Sequence, residues 1–270
     1  MTLFCHELRQ GRLSLAVWTL CIGFFVLVCV LMYPEFEGQM EEMGAMFASM
    51  GGFTAAFGMD RLNIGTLSGF YAIECGSIIG LGGAFYAALT GISALSKEEN
   101  GHTAEFLFTH PISRSFAAGT KLAAVLVQVL ILDLACFGFG VLSVILVDHP
   151  VPWGDLGLLH VAYLILHLEL AALCFGISAF RHSSGLGIGL GLAVSLYFAN
   201  LIANAAPAAD WLNYVTPFAY TDGADLLTEG GLDLALVLPG MAYGIAAFCI
   251  TAARTFGKVQ PLLSCGNVVE

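Results

Sequence analysis

Leu13-Ser-Leu-Ala-Val-Trp-Thr-Leu-Cys-Ile-Gly-Phe-Phe-Val-Leu-Val-Cys-Val-Leu-Met-Tyr33 carries no charge from end to end and is closed by Pro34. About 20 such residues cross the hydrocarbon core of a bilayer as a helix. The run is too long for the apolar stretch of a signal peptide, and no A-x-A-like site follows it. It reads as a retained membrane helix. Five further apolar runs follow: Phe70 to Leu95, Phe116 to Val147, Leu156 to Phe180, Leu186 to Asn204, and Leu234 to Ala253. The chain as a whole agrees. Of its 270 residues, 58% are hydrophobic and 11% charged, against about 25% charged in a soluble domain. Its mean hydropathy is +0.86. The expected fold is therefore an all-α integral membrane domain of six transmembrane helices.

Charge placement supports that count. Arg9, Arg12, Lys97, Arg114, Lys121, Arg181, Arg254 and Lys258 all fall on one side of a six-span chain, and only Arg61 falls on the other. The positive-inside rule makes the basic side cytoplasmic, with both termini there. Five or seven spans would break this segregation. Glu35, Glu37, Asp60, Asp148, Asp155, Asp210, Asp222, Asp225, Glu229 and Asp233 are among the acids that map outside, and they account for much of the net charge of -11. Trp153, Trp211 and Tyr214 sit where an outer aromatic belt belongs. No basic stripe exists to meet nucleic acid.

The eight cysteines show no CxxC pair. They fall in spans or on the cytoplasmic side, so neither a zinc site nor a disulfide framework is indicated. No repeat, linker or low-complexity tail divides the chain, and residues 1–270 read as one domain. Residues 1–12 form a short amphipathic segment with Leu3, Phe4 and Leu8 at helical spacing; it is expected as a cytoplasmic interface helix or an ordinary interfacial anchor. Residues 34–65 form an external loop whose stretch Met43 to Phe57 is apolar enough to touch the membrane. Residues 205–233, with Pro207, Trp211, Pro217 and Phe218, are too interrupted to span and too apolar to be free. Short helices re-entering the outer leaflet, packed on protein, are expected there.

The main cytoplasmic loop, 96–115, reads Ser96-Lys-Glu-Glu-Asn-Gly-His-Thr-Ala-Glu-Phe-Leu-Phe-Thr-His-Pro-Ile-Ser-Arg114 and runs on to Lys121. Thr103 to Thr109 suits a short helix that Pro111 stops. Phe106 and Phe108 offer apolar knobs. Glu98, Glu99, Glu105 and Arg114 offer charge. The pattern Glu98, Glu99, Gly101, Thr103, Glu105, Leu107, Thr109, Pro111, Ser113, Arg114, Lys121 resembles the first cytoplasmic loop of ABC-2-type permeases, with Phe106 where that family usually has Leu. Asn213-Tyr-Val-Thr-Pro217 resembles a weaker signature before the family's last span. The resemblance implies a six-helix, type V exporter-like transmembrane domain. It also implies that Glu98, Glu99, Gly101, Thr103, Glu105, Phe106, Leu107, Pro111 and Arg114 belong to a coupling helix docked on an ATPase. By the same resemblance, two permease subunits, identical or homologous, work with two ATP-binding subunits in a bacterial cell membrane.

The chain has no G-x-x-x-x-G-K-[ST] loop, so ATP and Mg are expected on the partner subunit and no cofactor on this chain. Polar groups inside the spans are the candidates for a substrate pathway: Glu74, Asp133 and Glu169, and Tyr197, Asn200 and Asn204, which share a face of span five. Cargo contact or proton binding is one use of them, and hydrogen-bonded helix packing is the simpler one, since no Lys or Arg lies at their depth. His160, Tyr163 and His167 share one face of span four, with Glu169 nearly opposite, so no metal site is apparent. A secondary transporter using Glu74, Asp133 or Glu169 for ion coupling is the alternative; it has no use for the 96–115 motif, and no inverted repeat supports it. An intramembrane enzyme lacks a nucleophile elbow or metal motif.

Overall fold

The computed structural model describes residues 2–37, 39, 50–100, 114–180 and 185–257. Every regular element among them is helical: α1 (Thr2–Glu37), α2 (Gly52–Ala56), α3 (Leu67–Phe70), a π-turn (Tyr71–Cys75), α4 (Gly76–Asn100), α5 (Arg114–Leu146), α6 (Trp153–Ser178), α7 (Leu186–Ala205), 3-10 turns at Pro207–Tyr214 and Ala219–Thr221, α8 (Gly223–Glu229) and α9 (Leu234–Gly257).

Five helical stretches are long and apolar enough to cross a membrane: Thr2–Glu37, Leu67–Ser96, Phe116–Leu146, Trp153–Ser178 and Leu186–Ala205. They coincide with the first five expected spans. The sixth expected span is helical as α9, but its apolar described portion, Leu234–Ala247, falls short of a crossing.

Three local differences from the sequence reading have physical causes. Residues 2–12 are not a separate helix but the first turns of α1, which runs unbroken into the first span. Gly11, the one residue that could break it, is packed so closely on Gln128 that a Cβ there would lie 2.4 Å from its Oε1. Pro34 does not end α1, which continues to Glu37; proline removes one hydrogen bond, and so near a terminus the last turn survives that loss. The second span starts earlier than expected, at Leu67, where the Thr66 hydroxyl accepts from the Gly69 N–H, and it contains a π-turn. Such single wide turns have no hydrophobic-periodicity signal and often mark functional sites.

Helix α6 is the centre of the bundle. It packs along α4, with α5 and α9 also against it. Leu156, Leu159, Leu166, Leu170 and Phe175 are almost wholly buried. Helix α1 lies along α5, and α7 lies on α4. Leu20, Phe24, Phe25 and Leu134 remain exposed on the outer faces, as a lipid-facing surface requires.

The two ends are stapled differently. At the basic end, the buried Lys121 ammonium donates to Glu7 Oε1 at 2.9 Å and to the Ala94 carbonyl at 3.2 Å, joining the starts of α1 and α5 to the end of α4. At the acidic end, Tyr33 donates to the Gly65 carbonyl at 2.9 Å, and Ser68 to Asp155 at 2.5 Å. Residues 205–233 form the short helices expected of them. Asp222 caps α8 by accepting from the Ala224 N–H at 2.9 Å, and Gly230 ends it in the left-handed region at φ 67°. Glycine meets no Cβ penalty in that conformation.

Candidate functional site

The π-turn brings Ala72 and Ile73, with Gly76, Ser77 and Gly80 of α4, to one wall of a cavity near the acidic end. Tyr163 of α6, Tyr197, Asn200 and Asn204 on one face of α7, and Phe218, Thr221 and Asp222 also line it. The volume is about 60 Å³, roughly two water molecules at about 30 Å³ each and far below the 300–1,000 Å³ of a drug-sized pocket. Gly76 is required here: a Cβ would lie 2.3 Å from the Tyr163 hydroxyl.

The polar groups around this cavity are organised by Asp222. Its Oδ2 accepts from Arg61 at 2.9 Å and from Asn204 Nδ2 at 2.7 Å. Arg61 also pairs with Asp225. This is the one basic residue that the charge pattern left on the acidic side; the structure explains it as the clamp between residues 57–61 and α8. Burial works against the Arg61 charge, but the carboxylates of Asp222, Asp225 and Asp60 hold its guanidinium above the ordinary range. Burial raises the Asp222 carboxyl, opposed by Arg61, the Ala224 N–H and Asn204.

Of the pathway candidates, Tyr197, Asn200 and Asn204 are thus brought together. The three carboxylates are not. Glu74 is half-buried in the π-turn. Asp133 of α5 meets His167 of α6, with Oδ1 2.9 Å from Nδ1, while His167 Nε2 lies 3.1 Å from the Gly80 carbonyl. Glu169 Oε2 accepts from Tyr220 at 2.8 Å, and its Oε1 has no partner. The sequence reading sought a Lys or Arg partner for Asp133 and passed over His167; their similar depth in adjacent spans was the available signal. The shared face of His160, Tyr163 and His167 is divided among three neighbours. His160 Nε2 lies 2.9 Å from the Tyr71 hydroxyl, Tyr163 enters the cavity, and His167 meets Asp133.

Glycines make room for these groups. A Cβ on Gly83 would lie 2.1 Å from His167 Cε1, and one on Gly240 would lie 2.1 Å from Glu169 Oε2. Within the Gly185–Gly191 series, Gly185 and Gly189 seat against Ile92, whereas Gly187 and Gly191 face open space. Close packing therefore uses one spacing of that series.

Residues 101–113 lie outside the described residues, and with them Gly101, Thr103, Glu105, Phe106, Leu107 and Pro111. The backbone of α4 runs through Glu98 and Glu99, and α5 opens at Arg114; those three side chains also lie outside the described residues. Among the described residues, no group of three or more His, Cys, Asp or Glu side chains could hold a metal ion.

Comparison with curated proteins finds no match. Comparison with protein families matches residues 1–267 to the family described as ABC-2 family transporter protein, and the chain belongs to it.

Proposed function

We propose that this permease-type, multi-pass membrane subunit forms the substrate pathway of an ATP-driven exporter, working as a dimer with two separate ATP-binding subunits that hold ATP and Mg. The observation that carries the reading is the anchoring of the 96–115 loop. Lys121 ties the start of α5 to Glu7 and to the Ala94 carbonyl, so both flanks of the loop and the N-terminal turns of α1 form one joint. A partner pushing on Glu105 and Phe106 would move three spans at once. In this reading the basic end is cytoplasmic, both termini lie there, α9 completes a sixth span, residues 205–233 dip into the outer leaflet, and the membrane is a bacterial cell membrane.

Burial supports the place of the second permease. The apolar windows of α1 and α7 are each 22% buried, against 61% for α6. Between α1, α4 and α7 runs an apolar groove of about 400 Å³, lined by Trp18, Phe25, Ile78, Phe85 and Tyr197. A second copy or homologue seated along α1 and α7 would cover it and set the two Tyr197 faces toward a shared pathway. Asp133 and Glu169 are engaged between helices and do not line the cavity, so no observation favours the ion-coupled alternative.

The deciding experiment is co-expression with candidate ATP-binding subunits. A stable complex with ATPase activity is expected from the wild type, and Glu105→Lys or Phe106→Ala should lose assembly or coupling. A chain that purifies alone, binds no ATPase and ignores both substitutions would sink the proposal.

A further inference from the structure

Part of the cavity lining comes from a segment outside the bundle. Ala56 and Phe57, from residues 50–61, line it beside Asn204 and Asp222. Helix α2 packs on α7. Asn204, near the end of α7, donates through Nδ2 to the Ala56 carbonyl at 3.4 Å and to Asp222 Oδ2 at 2.7 Å. Gly58 seats the segment on the start of α8. It lies in the left-handed region at φ 69°, and a Cβ there would lie 2.8 Å from Ala224 Cβ and 3.1 Å from Asp222 Oδ1. Arg61 closes the seam, donating to Asp222 Oδ2 at 2.9 Å and to Asp225. With this segment in place the cavity residues are shielded: Tyr163 is 2%, Thr221 7% and Asn200 8% exposed.

We infer that residues 52–61 are a strap that closes this cavity at the acidic end, and that Arg61 is its latch, opened when its ion pairs with Asp222 and Asp225 part. Two observations separate a latch from a fixed joint. The first is burial of the pair. The Arg61 and Asp225 side chains are 38% and 47% exposed, and an ion pair so exposed is weak and screened by salt. At the basic end, Lys121 and Glu7 are 2% and 7% exposed. Of these two ion-paired joints, the one over the cavity is the one that water can loosen. The second is how little the strap adds to the core. Thr54 and Gly58 are its buried residues, Phe53 is exposed, and none of residues 50–61 is a buried hydrophobic. A segment with few buried apolar contacts opens at low cost and leaves the rest of the fold intact. The strap and its latch stand on this geometry alone; only their use as the exit of an export pathway rests on the exporter reading.

The test uses the full chain, in a background lacking the native cysteines, in phosphatidylcholine nanodiscs that leave both faces open to water. Thr221→Cys and, separately, Asn200→Cys place a thiol in the cavity from two different elements, so that one reporter remains if the other fails to fold. The reagent is hydroxyethyl methanethiosulfonate, which is water-soluble and uncharged, so charge substitutions do not alter its own attraction to the site. Labelling is followed by mass spectrometry. It should be slow with Arg61 in place. Arg61→Glu sets like charges against Asp222 and Asp225 and should speed labelling about tenfold or more, because the rate follows the population of the open form. Adding Asp225→Arg to Arg61→Glu restores opposite charges across the seam and should return the rate toward its starting value. That recovery would not follow if Arg61→Glu had merely unfolded the bundle. Labelling that ignores Arg61→Glu at both reporters, or that stays fast after Asp225→Arg is added, would overturn the inference and leave Arg61 a surface contact. Loss of ATPase co-purification with the latch response retained would sink the exporter reading and keep the strap.

Discussion

At the residue scale, His167 and Glu169 show how this bundle holds buried polar side chains: each meets a partner from another element and a glycine that leaves it room. His167 is wholly buried, yet Asp133 and the Gly80 carbonyl engage its two ring nitrogens, and Gly83 supplies the space for the ring. In hydrocarbon such an arrangement answers a polar group that water cannot reach. Gly83→Ala places a methyl group where the imidazole lies. We expect it to cost about 1–3 kcal/mol, the usual penalty of overpacking. Combining it with His167→Ala should cost clearly less than the sum, because the second change removes the clash. Reversible unfolding in mixed micelles measures both. Equal, additive losses would show that the glycine and histidine do not share the site.

At the scale of elements, the joint of Glu7, Lys121 and Ala94 links three helices through one ammonium. Lys121 is 2% exposed and Glu7 is 6% exposed, so the pair is held out of water. Breaking such a pair costs about 3–5 kcal/mol, whereas replacing both partners with apolar residues is often neutral. Glu7→Ala should therefore destabilise strongly, and Glu7→Leu with Lys121→Met should recover most of the loss. The recovered protein also separates stability from coupling. If the ATP-binding subunit acts through this joint, the double variant should fold well and still show reduced ATPase stimulation. Full stimulation would place the transmission elsewhere.

For the whole molecule, the unequal burial of the spans sets the expectation for assembly. Phe25 is 58% exposed and lines the groove beside α1. In a background lacking the native cysteines, Phe25→Cys should form a disulfide-linked dimer on mild oxidation in membranes. Leu134→Cys, equally exposed on α5 at 61%, should not. Cross-linking of Leu134→Cys alone would move the second subunit to the opposite side of the bundle.

The chain's identity as a multi-helix membrane protein, the positions of its first five spans and its family were legible from sequence. Uninterrupted apolar runs, the bias of Lys and Arg, and a short loop motif are local signals, readable one segment at a time. The short helices of residues 205–233 were legible too, from their prolines and aromatics. What only the tertiary structure decided is which polar groups meet. Asp133 finds His167, Glu169 finds Tyr220, and Arg61 finds Asp222 and Asp225, all across long separations in sequence. Sequence spacing placed Tyr197, Asn200 and Asn204 on one face of a helix, but the cavity they line also needs the π-turn, Gly76 and the loop around Asp222. Hydropathy reports how readily a segment enters lipid; it carries no term for the rotation of one helix against another, and that rotation decides which side chains share a site.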